Sequence, residues 1–326
     1  MTGGLGKVYF MEKVASGILD SVILGDCVIE LKKFPDNSVD SIVSDIPYGI
    51  NLDEWDVLHS NTNSALLGSS PAQVKAGAVF KKRGKPLNGW SEADKKISGE
   101  YQEWCDTWAH EWFRITKSGS SVFVFAGRRY AHRCITALED AGFTLKDQLA
   151  WLRPKAPHRA QRVSAILDRR QDATNSKTWE GWKVGNLRPI FEPIIWFMKP
   201  YRVGTTITDN ILEHGLGAYN ENAALEYFGQ PNNVLNIGFE INETGLHPAQ
   251  KPINLMAALI KLTTLPKQVV LDPFCGSGTT LLAAKELDRQ FVGIEQNEEF
   301  ANIAKRRLSQ QSTQISFSDM FALQNV

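Results

Sequence analysis

Two short segments carry residues whose types and spacing can do chemistry. The first is Asp45-Ile46-Pro47-Tyr48, directly after the apolar run Val39-Asp40-Ser41-Ile42-Val43-Ser44. Asp45 and the carbonyl of residue 46 or 47 can accept hydrogen bonds from an NH₂ group, while Tyr48 stacks on a flat heterocycle. On its own the tetrapeptide also reads as an ordinary turn that uses Asp and Pro for their backbone preferences. The second segment is Asp272-Pro273-Phe274-Cys275-Gly276-Ser277-Gly278-Thr279-Thr280, which follows Val269-Val270-Leu271. Its glycines let backbone approach a ligand, and a helix starting at Thr279 would offer unpaired N–H groups. A P-loop requires a lysine before the Ser/Thr, and a dinucleotide fingerprint requires a third glycine or alanine where Leu281 stands. An adenosyl pocket without phosphates remains, beside the plainer alternative of a tight turn followed by a surface acid. Glu295 ends the next apolar run, 19 residues after Gly276, where a carboxylate can accept hydrogen bonds from both ribose hydroxyls. Cys275 is a small packing residue on this reading, not a nucleophile.

These segments need a frame. Val22–Asp26 and Val39–Asp45 are β-branched runs ending in an acid. Tyr101, Trp104, Trp108, Trp112 and Ile115 recur at steps of three and four residues, which puts them on one face of a helix. A strand follows at Ser121–Phe125, a helix from about Tyr130 to Ala141, and strands near Leu145–Leu152 and Ile190–Met198. Further on, Leu255, Met256, Leu259 and Ile260 mark a helix after Pro252, and Val269–Leu271 a buried strand. Thr279–Leu287 is a helix, Phe291–Ile294 a strand, and Phe300, Ile303, Ala304 and Leu308 another helix. This alternation predicts an α/β fold, a doubly wound and mostly parallel sheet covered on both faces. Residues 51–100 and 199–246 break the pattern and are too long for ordinary connections, so they read as functional insertions, with 153–186 a third candidate.

The 326 residues suggest about two domains, or one enlarged by insertions. With 43% hydrophobic and 22% charged residues the composition is that of a soluble globular chain, which excludes disordered, collagen-like and coiled-coil classes. No apolar run approaches the ~20 residues that span a bilayer, and the N-terminus lacks the apolar stretch of a signal peptide. Four widely separated cysteines form no C-x-x-C pair, so neither a disulfide framework nor a metal site is expected, and a cytoplasmic location fits. Lys+Arg equals Asp+Glu at 36 each, so a polyanion would have to be bound by local clusters.

Together the pieces resemble the amino-group DNA methyltransferases, which methylate adenine N6 or cytosine N4 with S-adenosylmethionine. The family's acid-Pro-Pro-aromatic motif is matched by Asp45-Ile46-Pro47-Tyr48, its cofactor loop by Asp272–Thr280, and its His-Pro-Thr-Gln-Lys-Pro signature by His247-Pro248-Ala249-Gln250-Lys251-Pro252. Leu24-Gly25-Asp26 resembles a short motif near the cofactor adenine. The catalytic motif precedes the cofactor loop, which is the β-type, circularly permuted order. Ile46 departs from the family's first proline, which makes the turn less rigid, and Ala249 from a common threonine.

The resemblance implies a division of labour. Residues 18–153 would be the catalytic half, with 51–100 an insertion loop. Residues 154–246 would recognise the target, with a core strand near 188–199. Residues 247–312 would bind the cofactor, and 313–326 form a tail. Asp45, Pro47 and Tyr48 would be catalytic. Asp26, Asp45, His247, Lys251, Asp272, Phe274, Gly276, Gly278, Thr279 and Glu295 would face S-adenosylmethionine. The target base would be flipped from the duplex, since its amino group is unreachable inside it. Lys81, Lys82 and Arg83 in one insert, and Arg153, Lys155, Arg159, Arg162, Arg169 and Arg170 in another, would then contact phosphates of double-stranded DNA. Asp at the first motif position goes mostly with adenine in the family, so N6-methyladenine is the expected product and N4-methylcytosine the alternative. An RNA or protein-glutamine methyltransferase would leave His247–Pro252 unexplained, and an inactive DNA-binding subunit has only Ile46 in its favour. A homodimer and a cognate restriction endonuclease are partners compatible with the family, in a bacterial or phage-encoded setting.

Overall fold

The computed structural model describes residues 17–49, 92–156, 160–240, 243 and 250–322. The strands are β1 (Ser21–Leu24), β2 (Val39–Asp45), β3 (Thr116–Phe125), β4 (Thr144–Leu152), β5 (Gln161–Arg162), β6 (Lys183–Val184), β7 (Phe191–Met198), β8 (Val234–Leu235), β9 (Val269–Asp272) and β10 (Gln290–Glu295). The helices are α1 (Cys27–Leu31), α2 (Glu92–Ile115), α3 (Ala131–Asp140), α4 (Val163–Arg169), α5 (Ala173–Thr178), α6 (Ile207–His214), α7 (Glu221–Phe228), α8 (Ile253–Thr263), α9 (Thr279–Glu286) and α10 (Glu298–Ala322). Eight strands form one sheet in the order β1-β10-β9-β2-β3-β7-β4-β8. All neighbours are parallel except β7, which runs antiparallel to both β3 and β4. β5 and β6 form a separate antiparallel pair.

Side chains of a strand alternate between faces, and here each face has its own core. Ile42, Val122, Val124, Ile195 and Phe197 pack with α1, α2 and α3 on one side. Val43, Phe123, Phe125, Ile194 and Trp196 pack with α8, α9 and α10 on the other. Near-continuous apolar strands therefore follow from a sheet covered twice. The aromatic stripe of α2 is fully buried at Tyr101, Trp108 and Trp112. Trp104, Trp108 and Trp112 lie 5.7, 6.1 and 6.4 Å from the ring of Phe274, so this helix roofs the glycine loop.

Three elements differ from the sequence expectation. The strand expected over Val22–Asp26 stops at Leu24, because the Asp26 carboxylate accepts from Val28 N (2.8 Å) and Ile29 N (3.3 Å) and so caps α1. The segment 199–246 holds α6, α7 and β8, and β8 extends the main sheet by pairing with Ala150 and Trp151. Their stretches are too short for periodicity to declare them. β7 reverses direction, which an apolar run cannot reveal. Among the described residues no helix is long and apolar enough to cross a membrane.

The α2 stripe makes the core testable. Trp108→Ala should cost about 3–5 kcal/mol in urea unfolding followed by circular dichroism. A loss below about 1 kcal/mol would show that α2 does not pack as described.

Candidate active site

In sheets of this kind a ligand binds where neighbouring strands send their chains in opposite directions, outside the C-terminal ends of the strands. Here β9 and β2 are adjacent; the chain leaves β9 toward β10 and leaves β2 toward β3. The switch point therefore lies between Asp272 and Asp45, bringing together two segments far apart in sequence. Ser44 Oγ donates to Asp272 Oδ1 at 2.7 Å and ties them.

On the β9 side, Gly278 sits at φ 80° ahead of α9, and a Cβ there would lie 2.8 Å from Ala304 Cβ, so glycine is required. Glu295 at the end of β10 accepts from Gly276 N and Asn297 N, both at 2.8 Å, one on each carboxylate oxygen. Burial raises its pKa, opposed by the N–H groups of Asn297, Gly276 and Gln296. Burial also lifts Asp272 to about 7, against hydrogen bonds from Thr280, Ser44 and the Phe274 N–H. Burial, with Asp272 and Glu295 nearby, pushes the Cys275 thiol well up, which makes it a poor nucleophile. The strand ends thus present the carboxyl groups of Asp45, Asp272 and Glu295. That set suits a nucleoside carrying a positive charge and is ill suited to phosphates.

On the β2 side, Ile46 is buried in the core, and the Tyr101 hydroxyl donates to the Pro47 carbonyl at 2.8 Å. Side-chain burial and this bond hold the turn where a second proline is missing. The Asp45 carboxylate meets Lys251 Nζ at 2.5 Å and the Tyr48 hydroxyl at 2.9 Å. Lys251 also reaches Glu192 Oε1 at 3.2 Å, and the Tyr48 hydroxyl donates to the same carboxylate. Arg153 Nη1 closes the chain on Glu192 Oε2 at 2.9 Å. Burial raises Asp45 to about 6, with Lys251 opposing and Glu192 adding to the rise. Burial would raise Glu192 too, but Lys251, the Tyr48 hydrogen bond and Arg153 hold it below the usual range. Burial would lower Lys251, and Asp45 and Glu192 overcome that and hold it above its ordinary value.

The structure brings together Asp45, Pro47, Tyr48 and Lys251, and beside them Asp272, Phe274, Gly276, Gly278, Thr279 and Glu295. It places Lys251 on Asp45 and Glu192. Asp26 is exposed and caps α1, next to the β1–β10 edge where Gly25 N donates to the Glu295 carbonyl at 3.0 Å. Arg153, expected on DNA, is engaged with Glu192 and lies over the Trp151 ring at 5.3 Å. Lys155, Arg162, Arg169 and Arg170 are exposed. His247, Lys81, Lys82, Arg83 and Arg159 lie outside the described residues. Glu192 had no sequence signal beyond an acid within an apolar run, Phe191-Glu192-Pro193-Ile194-Ile195. Such an acid is one that burial tolerates only if paired.

The doubly wound sheet, with a glycine loop and a carboxylate-bearing turn at its switch point, has the architecture of the S-adenosylmethionine-dependent methyltransferase class. The chain belongs to the N6/N4 DNA methylase family, whose model matches residues 39–306, and S-adenosylmethionine is the methyl donor of that family. It is 56% identical over 296 residues to the type II methyltransferase M.HindIII of Haemophilus influenzae, covering 89% of this chain and 96% of the relative. It is 24% identical over 301 residues to the type II methyltransferase M.HinfI of Haemophilus influenzae, covering 91% and 70%. Among solved structures the fold is similar to the cytosine-N4-specific PvuII DNA methyltransferase, with a TM-score of 0.57, 18% identity and 87% and 84% of the two chains covered. It is also similar to a putative DNA modification methylase of Thermus thermophilus in complex with S-adenosyl-L-methionine, with a TM-score of 0.54, 18% identity and 89% and 93% covered.

The buried cluster predicts a pH-dependent stability defect. Lys251→Met leaves two carboxylates facing each other, a loss of about 3–5 kcal/mol for one partner of a buried pair. Asp45 already has a folded pKa above its unfolded value and would rise further. The penalty is therefore absent where the acid is protonated and grows as pH rises through the folded pKa. The melting temperature of Lys251→Met relative to wild type should drop more at about pH 8 than at about pH 5. An equal drop at both would show that Lys251 does not neutralise these carboxylates.

Proposed function

We propose that the protein methylates adenine N6 of a base flipped out of double-stranded DNA, as the modification enzyme of a type II restriction system. The observation that carries amino-group methylation is the Asp45 carboxylate at the switch point, across the Ser44–Asp272 bond from the glycine loop, and the choice of adenine rests on the family's association of Asp at this position with that base. An exocyclic amino nitrogen is a poor nucleophile because its lone pair is delocalised into the ring. Asp45 and one backbone carbonyl would accept its two hydrogens and favour a pyramidal nitrogen. The Pro47 carbonyl already accepts from Tyr101, which favours the Ile46 carbonyl, next to Asp45, as the second acceptor. Lys251 keeps Asp45 ionised, and the Tyr48 ring stacks on the base and offsets part of the stacking lost on flipping. Bound S-adenosylmethionine supplies an activated methyl on a sulfonium, so the chain has mainly to position it. Glu295 would hold the ribose hydroxyls with the acceptor capacity its two N–H partners leave unused.

DNA contacts are assigned to Lys155, Arg162, Arg169 and Arg170. They stand on the segment between β4 and β7, which leaves and re-enters the sheet at the edge that carries Asp45. That segment also exposes Trp182 and Leu187. A cognate endonuclease is the partner that the type II relatives suggest.

Mass spectrometry of nucleosides from unmodified genomic DNA treated with the enzyme should show N6-methyladenine, abolished in a folded Asp45→Ala variant. N4-methylcytosine alone would overturn the base assignment, and full activity in Asp45→Ala the mechanism. Glu295→Ala should weaken S-adenosylmethionine binding by about 1–3 kcal/mol in calorimetric titration. Unchanged affinity in a folded variant would remove Glu295 from the pocket.

A further inference from the structure

Glu192 belongs to none of the sequence motifs, yet it touches both side chains that bond Asp45, Tyr48 and Lys251. It is 7% exposed, near the start of β7, and paired with Lys251 and Arg153. We infer that Glu192 is a positioning residue for methyl transfer: it holds the Tyr48 hydroxyl and Lys251, the two side chains bonded to Asp45, and so orients Asp45 and the Tyr48 ring toward the target base. The inference rests on the assignment of Asp45 and Tyr48 to that base.

Asp45 and Glu192 share two donors. A phenol has one proton, and the Tyr48 hydroxyl is held between Asp45 Oδ1 at 2.9 Å and Glu192 Oε1. Lys251 Nζ donates to Asp45 Oδ2 and lies 3.2 Å from Glu192 Oε1 and 3.3 Å from the phenol oxygen, to which it also donates. With Lys251 and the Tyr48 bond, Arg153 at the end of β4 holds Glu192 below the usual carboxylate range. Without Glu192, Tyr48 and Lys251 each lose one carboxylate partner, and the orientation they impose on Asp45 loosens. Gly127 further confines the Tyr48 ring: a Cβ there would lie 3.0 Å from Tyr48 Cβ.

Glu192 also acts on Asp45 through its charge. Among the described residues, the charged and titratable groups acting on Asp45 are Tyr48 on its own turn, Glu192 on β7, Lys251 ahead of α8 and Asp272 on β9, with Arg153 after β4 acting on Glu192. Tyr101 of α2 is directed to the Pro47 carbonyl instead. Glu192 and Asp272 are the negative members, so removing Glu192 makes Asp45 easier to ionise.

The test uses full-length Glu192→Gln and Glu192→Ala with tritiated S-adenosylmethionine and unmodified genomic DNA. Both variants should bind S-adenosylmethionine as wild type does in calorimetric titration. The single-turnover rate of Glu192→Ala should fall roughly 10- to 100-fold, the scale of a misplaced reacting group. Glu192→Gln keeps an acceptor for Tyr48 and should recover part of that rate. Having lost the charge, it should also show the acid limb of kcat/KM, which reports the free enzyme, at lower pH than wild type. Glu192→Gln is nearly isosteric and remains readable if the alanine variant fails to fold. Wild-type rates in the variants would overturn the inference, and so would slow variants whose acid limb has not moved. Full activity in Asp45→Ala would instead remove the assignment of Asp45, and this inference with it, so the two failures are told apart.

Discussion

Lys251 neutralises two buried carboxylates at once, and the arrangement of the site depends on that. Its ammonium lies between Asp45 and Glu192 at 2.5 and 3.2 Å and is itself almost fully buried. A single carboxylate in this place would be forced to protonate, and a lone lysine to lose its proton. Together with Arg153 the four groups sum to no net charge, so the end of the sheet can exclude water without the penalty of an unpaired ion. Asp45 stays poised near neutrality, while Glu192 is held below the usual carboxylate range.

Topology decides why this cluster sits beside the glycine loop. β2 and β9 are separated by more than 200 residues of chain, yet they pair through Ser41–Val270 and Ile42–Leu271. Their C-terminal ends must then diverge, because one chain continues toward β3 and the other toward β10. The Ser44–Asp272 bond spans the two strand ends where they part. The Trp104–Trp108–Trp112 face of α2 packs on Phe274, so the glycine loop is held by a helix from the other half of the chain.

Much of this was legible in the residues. The tetrapeptide, the glycine loop and Glu295 are local in sequence, and each carries its chemistry in consecutive or regularly spaced positions. The α2 stripe was legible because rings at steps of three and four residues admit one helical face. What escaped reading was set by tertiary pairing. Glu192 is an acid inside an apolar strand, and only the register that places Phe125 opposite Ile194 shows why it is there. Lys251 was recognised as part of a signature, but its partners lie on two distant strands. Arg153 looked like one more cation in a basic stretch, and its engagement with Glu192 depends on β4 and β7 being neighbours. β8, two residues long, has no pattern of its own.

Asp45 is thus an acid poised close to neutrality and held ionised by Lys251. The most direct measurement is a carboxyl-carbon NMR titration of Asp45 in the folded enzyme, assigned by comparison with Asp45→Asn. The expected apparent pKa is about 6, rising further when Lys251 is replaced by methionine. A value near the ordinary ~3.9 of an exposed aspartate, unchanged by that replacement, would contradict it.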